Sequence, residues 1–252
     1  MSAETTAGPP QGSPALTHTD EVTRLLAHAD DNMVLAQRLS EWISNAPELE
    51  IDIAFGNLAL DFLGVARALY TYAGELEGEG RSEDDLAMGR DERKYLNLLL
   101  VEQPNGDFAH TVMRQLFFDA YQTELWADLS TSDDERLAGI AAKAAKEAVY
   151  HLRFSSGWVI RLGDGTEESH RRVQAAVDAL WRFTGEMFEG DAAAYRPAWE
   201  RTIEGVFGEA TLTIPDDPYQ RTGGRLGFHT EALGHLLAEM QWMQRAYPGL
   251  EW

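Results

Sequence analysis

Glu147 and His151 lie one helical turn apart in the stretch KEAVYHLRF, residues 146–154. A carboxylate and an imidazole four residues apart share one face of a helix, so both could reach the same metal ion. Bundles that hold two iron or manganese ions use Glu-x-x-His on two helices and a single glutamate on each of two others. With His151 as the histidine, the glutamate would stand at position 148, where this chain has alanine. Glu147 is rotated by about 100° around the helix, so the residue types are right but their register is wrong.

The elements that would position such residues are helices. Apolar residues recur at i, i+3, i+4 and i+7 through most of the chain. Residues 1–18 are rich in Gly, Pro, Ser and Thr and are expected to form a flexible tail. The region 210–227 is the only candidate for a short strand. Helices are predicted at about 21–44, 48–77, 91–101, 107–130, 133–162, 167–189, 193–209 and 231–247.

The predicted elements give an all-α fold, and their order indicates how the helices are arranged. Two long helices are joined tightly, a long connection follows, and two more long helices are joined tightly. A pair of helical hairpins with a long crossover is the arrangement of ferritin-like four-helix bundles. We therefore expect residues 19–252 to form a single ferritin-like helical domain, with additional C-terminal helices beside the bundle.

The internal symmetry of the bundle assigns six ligand positions, and three of them are apolar. Divalent iron and manganese need carboxylate and imidazole donors, and one carboxylate with one imidazole cannot hold two ions. We therefore predict no metal, no catalytic residue and no cofactor in this chain. Asp119 and His151 are expected to lie in a buried hydrogen-bonded network instead. The six positions are Asn32, Phe62, Val65, Asp119, Ala148 and His151.

A second cluster stands near the C-terminal end of the chain. Glu231, His235 and Glu239 recur at i, i+4 and i+8 and share a helix face, so a single surface metal ion is conceivable. No second helix supplies obvious further ligands, which favours charge pairing along the helix. The sequence contains no serine-elbow motif and no convincing Ser-His-Asp set, and no Gly-rich phosphate loop lies between a strand and a helix.

The charge of the chain argues against several classes of function. Among 252 residues, 42 are acidic and 21 are basic, which gives a formal net charge of -21. A field of this sign repels phosphate backbones and anionic lipids, so nucleic-acid and membrane-surface roles are not expected. The sequence has no cysteine, no secretory signal and no run of about 20 apolar residues. A cytoplasmic protein is the default expectation.

Seven segments between about residue 23 and Trp252 carry a family resemblance. They are LAQRLSEW, APELEIDIA, NLLLVEQPNGDFA, KEAVYHLRFS, LWRFT, EATL and RTGGRLGFHTEALGHLLAEMQWMQR. These segments closely resemble the C subunits of bacterial phenylacetyl-CoA epoxidases. The resemblance implies one component of a monooxygenase that adds an oxygen atom of O2 across the aromatic ring of phenylacetyl-CoA during phenylacetate breakdown.

The resemblance also implies how the work is divided among the components. In that family a ferritin-like catalytic subunit, which we call the sister subunit, carries the di-iron centre, and a reductase supplies electrons from NADPH. The component that this chain resembles is the non-catalytic bundle that binds and stabilises the sister subunit. The ligand pattern of the sister subunit falls on the six positions named above, and this chain departs from it at four of them. The alternative hypothesis is an autonomous ferritin-like metal-binding oxidoreductase, which only Asp119 and His151 support.

Large aromatic residues predict a surface for the partner. The chain has more tryptophans than one bundle core readily hides, and tryptophan is enriched at binding hot spots. We expect a large, partly apolar interface with the sister subunit through the first two helices. The alternative is that most of these side chains belong to the core. They are Trp42, Trp126, Trp158, Trp181, Trp199 and Trp242.

The irregular loop YQRTGGRLGFH, residues 219–229, places Arg221 and Arg225 around two glycines in an otherwise acidic chain. Arginine can bind phosphate bidentately, so this loop could hold the CoA phosphates near the boundary with the sister subunit. The alternative, which we favour, is that both arginines pair with carboxylates of this chain or of the sister subunit.

Overall fold

The computed structural model describes residues 18–216 and 219–249, and within these ranges the chain is helical without a β-strand. The expected tail, residues 1–18, lies outside the described residues apart from His18, at which the first helix begins. None of the described helices is both long and apolar enough to cross a membrane. The helices are α1 His18–Ser40, α2 Leu49–Glu77, α3 Glu83–Met88, α4 Phe108–Leu129, α5 Glu135–Gly163, α6 Glu167–Leu180, α7 Arg196–Ala210, α8 Glu231–Met240 and α9 Trp242–Ala246.

The long helices α1, α2, α4 and α5 form a four-helix bundle of two hairpins. Aromatic rings join them across the core. Trp42, just beyond the end of α1, contacts Phe55 of α2 and Phe108 of α4, with ring centroids 5.6 and 6.3 Å apart. Phe55 also contacts Phe154 of α5 at 5.9 Å. Buried apolar side chains of all four helices belong to one core cluster, whose removal from water is the main force that holds the bundle together. The predicted all-α, ferritin-like arrangement is confirmed.

Local sequence signals set the ends of the bundle helices. The Asp107 side chain caps α4 by accepting a hydrogen bond of 2.9 Å from the amide three residues on. Asp134 caps α5 in the same way, through the amides of Arg136 and Leu137, both at 3.0 Å. At the other end of α2, Gly78 has a φ of 71°, in the left-handed region that favours glycine.

The crossover between the hairpins, residues 78–107, differs from the prediction of a helix at 91–101. The structure has α3 further upstream and a single 3-10 turn at Glu92–Lys94. Residues 98–101 are buried, yet their chain is not helical. The amides of Leu96 and Leu98 donate instead to the carboxylates of Asp30 and Asp31, at 2.8 and 2.7 Å. Because side chains of α1 satisfy these amides, the apolar run is buried without forming a helix.

Helices α6 and α7 pack beside the α4/α5 hairpin. Trp199 of α7 donates its indole N–H to the Phe117 carbonyl of α4 at 2.9 Å. The helix predicted at 167–189 ends at Leu180 and is followed by 3-10 turns, where the Thr184 hydroxyl donates to the Trp181 carbonyl at 2.8 Å. The helix predicted at 231–247 is interrupted at Gln241, between α8 and α9.

Most of the tryptophans belong to the core, as the alternative interpretation held. Trp126 and Trp199 are fully buried, and Trp42, Trp158 and Trp181 are partly buried against the core. Trp242 on α9 is the exception, with 59% of its surface exposed. Tryptophan content was therefore a poor indicator of a partner surface in this chain.

Candidate functional site

The six ligand positions predicted from the bundle symmetry are all buried. The Phe62 ring lies 4.7 Å from the imidazole of His151 and 6.1 Å from the ring of Phe118, measured between centroids. Val65 and Ala148 are also buried and carry no donor atom. The side-chain amide of Asn32 accepts a hydrogen bond from Gln122 at 3.2 Å and donates to a carbonyl of its own helix. An aromatic ring and small apolar groups thus occupy the positions that ligands would need.

His151 turns towards α2 rather than towards Glu147. Its Nε2 atom lies 3.1 Å from Oδ2 of Asp61. Burial lowers the pKa of His151, and the nearby Asp61 carboxylate opposes this shift. The imidazole is therefore neutral at physiological pH and donates its Nε2 hydrogen to Asp61. Glu147 lies 3.4 Å from the ammonium group of Lys143 on the same helix. The acid and imidazole of the KEAVYHLRF stretch have separate partners.

Asp119 is fully buried and uncharged at neutral pH. Its carboxyl oxygens lie 2.8 Å from Nε2 of Gln115 and 2.8 Å from the Ser155 hydroxyl. Burial raises the pKa of Asp119 to about 8, although both hydrogen bonds act to lower it. The expectation of a shared Asp119–His151 network needs correction, because no side-chain hydrogen bond in the described structure joins the two. Their link is indirect: Ser155 bonds to Asp119 and, at 3.1 Å, to the His151 carbonyl.

The donor chemistry of this interior does not fit a di-iron centre. Asp119 is the one carboxylate among the six positions, and its oxygens are engaged with Gln115 and Ser155. The imidazole is engaged with Asp61, and three of the six positions lack a donor altogether. Among the described residues, no group of three histidine, aspartate or glutamate side chains is arranged to hold a metal ion. The Glu231, His235 and Glu239 side chains of α8 form no such group either.

The loop considered for phosphate binding is fixed to the rest of the protein by contacts within this chain. We call residues 219–230 the strap. Arg225 forms an ion pair of 2.7 Å with Asp31 of α1, and also donates to the carbonyls of Leu96 and Ala27 at 2.7 and 3.1 Å. Pairing with Asp31 raises the pKa of Arg225 even though burial opposes the shift. Arg225 therefore pairs with a carboxylate of this chain, as the favoured alternative held. Arg221 is exposed and has no ion pair among the described residues.

A second carboxylate holds the glycines of the strap. Glu186 accepts hydrogen bonds from the amides of Gly223 and Gly224 at 2.8 and 2.6 Å, and from the Leu99 amide of the crossover at 2.7 Å. A side chain at position 224 would place its Cβ 2.2 Å from the Asn97 carbonyl oxygen, so only glycine fits. The two glycines therefore let the strap approach the crossover rather than a ligand.

A third carboxylate, Glu102, completes the attachment. It lies 2.8 Å from Nδ1 of His229 and accepts from the amide and hydroxyl of Thr230 at 2.7 and 2.8 Å. Nε2 of His229 lies 2.8 Å from the Tyr95 carbonyl, so both ring nitrogens donate. Burial acts to lower the pKa of His229, but the bond to Glu102 outweighs it and raises the pKa. The strap is thus a structural element that ties the crossover to α1.

An exposed apolar face lies on α2. We call the residues Leu49, Ile53, Gly56, Leu60 and Leu63 the α2 outer face. The four large side chains are 72%, 55%, 66% and 41% exposed. Together with α1 this face borders a groove of about 540 Å³, whose lining is mainly apolar. Helix α2 is apolar on nearly all sides, and a four-helix bundle covers only part of such a helix.

The structure is a ferritin-like bundle of two helical hairpins with a buried crossover, and three of its six predicted ligand positions carry no donor atom. The chain belongs to the family described as phenylacetic acid catabolic protein, whose family model matches residues 5–252. It is 52% identical to the C subunit of the 1,2-phenylacetyl-CoA epoxidase of Escherichia coli strain K12, over 88% of this chain and 95% of that protein. The family resemblance seen in the sequence is confirmed.

Proposed function

We propose that this chain is a non-catalytic, structural subunit of a multicomponent phenylacetyl-CoA 1,2-epoxidase in the cytoplasm. It binds and stabilises a sister subunit that carries the di-iron centre, while a reductase component supplies electrons from NADPH. The 52% identity to the Escherichia coli protein supports the assignment to this enzyme. The interior supports the non-catalytic role, because Phe62, Val65 and Ala148 leave no ligand set for a metal.

The observation that carries this proposal is the α2 outer face. Its residues alternate in steps of four and three, which is the spacing of an apolar seam between two packed helices. Full burial of a leucine or isoleucine side chain contributes roughly 1.5–3 kcal/mol. A partner that covers this face therefore gains substantial binding free energy. Contiguous exposed apolar patches of this kind mark protein interfaces.

The shape of the face favours a helix of the sister subunit as its occupant. A Cβ added at Gly56 would meet nothing within 4 Å, so the middle of the stripe is open to a large side chain from outside. Leu60 and Ile53 flank this opening and can pack on either side of such a side chain. In this arrangement the iron ligands all come from the sister subunit, and this chain contributes by holding that subunit in its folded position.

Co-expression with the sister subunit, followed by size-exclusion chromatography, tests the proposal. The wild-type chains are expected to elute together at micromolar concentration. Ile53→Glu and Leu60→Glu should weaken the complex at least about tenfold, because each places a charge in the apolar seam. Both side chains are exposed, so the variants should retain the circular dichroism and thermal unfolding of the wild type.

The matched control is Leu226→Glu, which adds the same charge at an exposed leucine of the strap, outside the α2 outer face. It is expected to leave the complex intact. Separate elution of the two wild-type chains would contradict the proposed role. Unchanged co-elution of Ile53→Glu and Leu60→Glu would contradict the choice of surface.

A further inference from the structure

One segment of α5 differs in charge from the rest of this acidic protein. Residues 148–163 of α5 contain no aspartate or glutamate, although the chain has 42 acidic residues. The same segment has Arg153 and Arg161, and aromatic side chains at positions 150, 154 and 158. A shallow groove of about 360 Å³ runs along it, which we call the α5 groove. Its lining residues are Tyr150, Arg153, Phe154, Gly157, Trp158 and Arg161.

The two arginines of the α5 groove are available to a ligand. Neither Arg153 nor Arg161 has a carboxylate within ion-pair distance among the described residues, and both are exposed. The guanidinium of Arg161 lies 5.1 Å from the centre of the Trp158 ring. Two acidic groups near this end of α5 are engaged elsewhere, since Glu147 lies against Lys143 and Asp61 bonds to His151.

The floor of the groove is rigid and open. Phe154 packs against Phe55 at 5.9 Å and Trp158 packs edge-on against Phe108 at 5.1 Å, so the core fixes both rings. A Cβ added at Gly157 would meet nothing within 4 Å, which leaves a flat space between the two arginines. The eight-residue separation of the arginines corresponds to about 12 Å along the helix. A planar ring can lie in this space with an anionic group at either end.

We propose that the α5 groove binds the nucleotide end of a CoA thioester, a purine ring with phosphate groups. Arginine guanidinium groups bind phosphate oxygens bidentately, and aromatic rings stack on nucleobases. A groove of about 360 Å³ accommodates a nucleotide rather than a whole CoA molecule, so the remainder of the ligand extends beyond it. This inference rests on the proposed function for the identity of the ligand. Arg225, the residue first considered for this role, is already paired with Asp31.

Isothermal titration of the full chain, without its partner, tests this inference separately from complex assembly. The ligands are CoA, adenosine 3′,5′-bisphosphate and pantetheine, which has no nucleotide. CoA and the bisphosphate are expected to bind with similar affinity, more weakly as salt is raised, and pantetheine is expected not to bind. Arg153→Gln and Arg161→Gln should each weaken CoA binding about tenfold, the loss expected for a charged hydrogen bond.

The matched control is Arg201→Gln, which removes an exposed arginine of α7 that has no ion pair in the described part of the chain, and should leave the affinity for CoA unchanged. The inference is overturned if CoA produces no heat, if pantetheine binds as well as CoA, or if both groove variants bind like the wild type. It is also overturned if the groove variants bind CoA normally but fail to join the sister subunit, because the arginines then belong to a protein interface. A chain that binds CoA but never joins a sister subunit would instead refute the proposed function.

Discussion

Arg225 of the strap and Asp31 of α1 are 194 residues apart in sequence and form an ion pair with bonds of 3.0 and 2.7 Å. Asp31 is 1% exposed and the arginine side chain 21%, so the pair is largely withdrawn from water. Asp31 also accepts from the Leu98 amide. A single carboxylate of the first hairpin thus fixes both the crossover and the strap, which the sequence places far apart.

Removal of one member of this pair should destabilise the fold strongly. Arg225→Ala leaves the Asp31 carboxylate buried without its counter-ion, and such losses typically cost about 3–5 kcal/mol of unfolding free energy. Urea denaturation followed by circular dichroism measures the change. Arg221→Ala is the control, and should stay within about 0.5 kcal/mol of the wild type because its side chain is exposed. Equal stability of the two variants would contradict the structural role of the strap.

Asp119 should make the protein less stable as the pH rises. Its pKa is about 8 in the folded state and about 3.9 in an unfolded chain, so the folded state retains a proton that the unfolded state releases. The stabilisation is complete below pH of about 4 and is lost as the pH rises towards 8. Asp119→Asn keeps the shape of the side chain but removes the group that titrates. Its stability relative to the wild type should therefore increase between pH 5 and pH 8, measured by urea denaturation, and a constant difference would refute a neutral Asp119.

His229 should contribute a second and separate pH dependence. Because its pKa is raised above the value of about 6.5 in an unfolded chain, its stabilisation is fully present below that pH and is lost as the pH rises through the folded-state pKa. The stability difference between the wild type and His229→Gln, measured by urea denaturation, should therefore shrink from pH 6 to pH 9. A stability difference that stays constant over this pH range would contradict the pairing of His229 with Glu102.

His151 should matter for stability and not for turnover. His151→Ala removes the bond to Asp61 and the packing against Phe62, at a cost of about 1–3 kcal/mol. Thermal unfolding measures this cost in the chain alone. The epoxidase assembled with the variant should keep its kcat wherever the complex still forms. A correctly assembled complex with abolished turnover would assign His151 a role in the chemistry.

The bundle could be predicted from the sequence because its signals are local. Helical periodicity and the Asp107 and Asp134 caps depend on residues within a few positions of each other. The crossover could not be predicted in this way. The amides of Leu96 and Leu99 bond to carboxylates 66 and 87 residues away, and that long-range pairing overrides the local preference for helix. The same limit applies to the ion pair of Arg225 with Asp31.

The candidate site was predictable in position but not in its contacts. The symmetry of the hairpins correctly placed Asp119 and His151 in the interior, because register along a helix fixes which side chains face inward. Asp61, the partner of His151, was missed. It lies immediately before Phe62, on a neighbouring face of α2, and only the packing of α2 against α5 brings its carboxylate to the imidazole.

Native mass spectrometry of the chain alone and of the co-expressed pair tests the central claim most directly. We predict that the chain alone has the mass of the metal-free polypeptide and that the pair forms a heteromer whose iron stays with the sister subunit after collisional dissociation. The opposite result is a chain that retains two iron or manganese ions through chelator treatment, or that never forms a heteromer with the sister subunit. Either finding would contradict the account of this chain as a structural subunit.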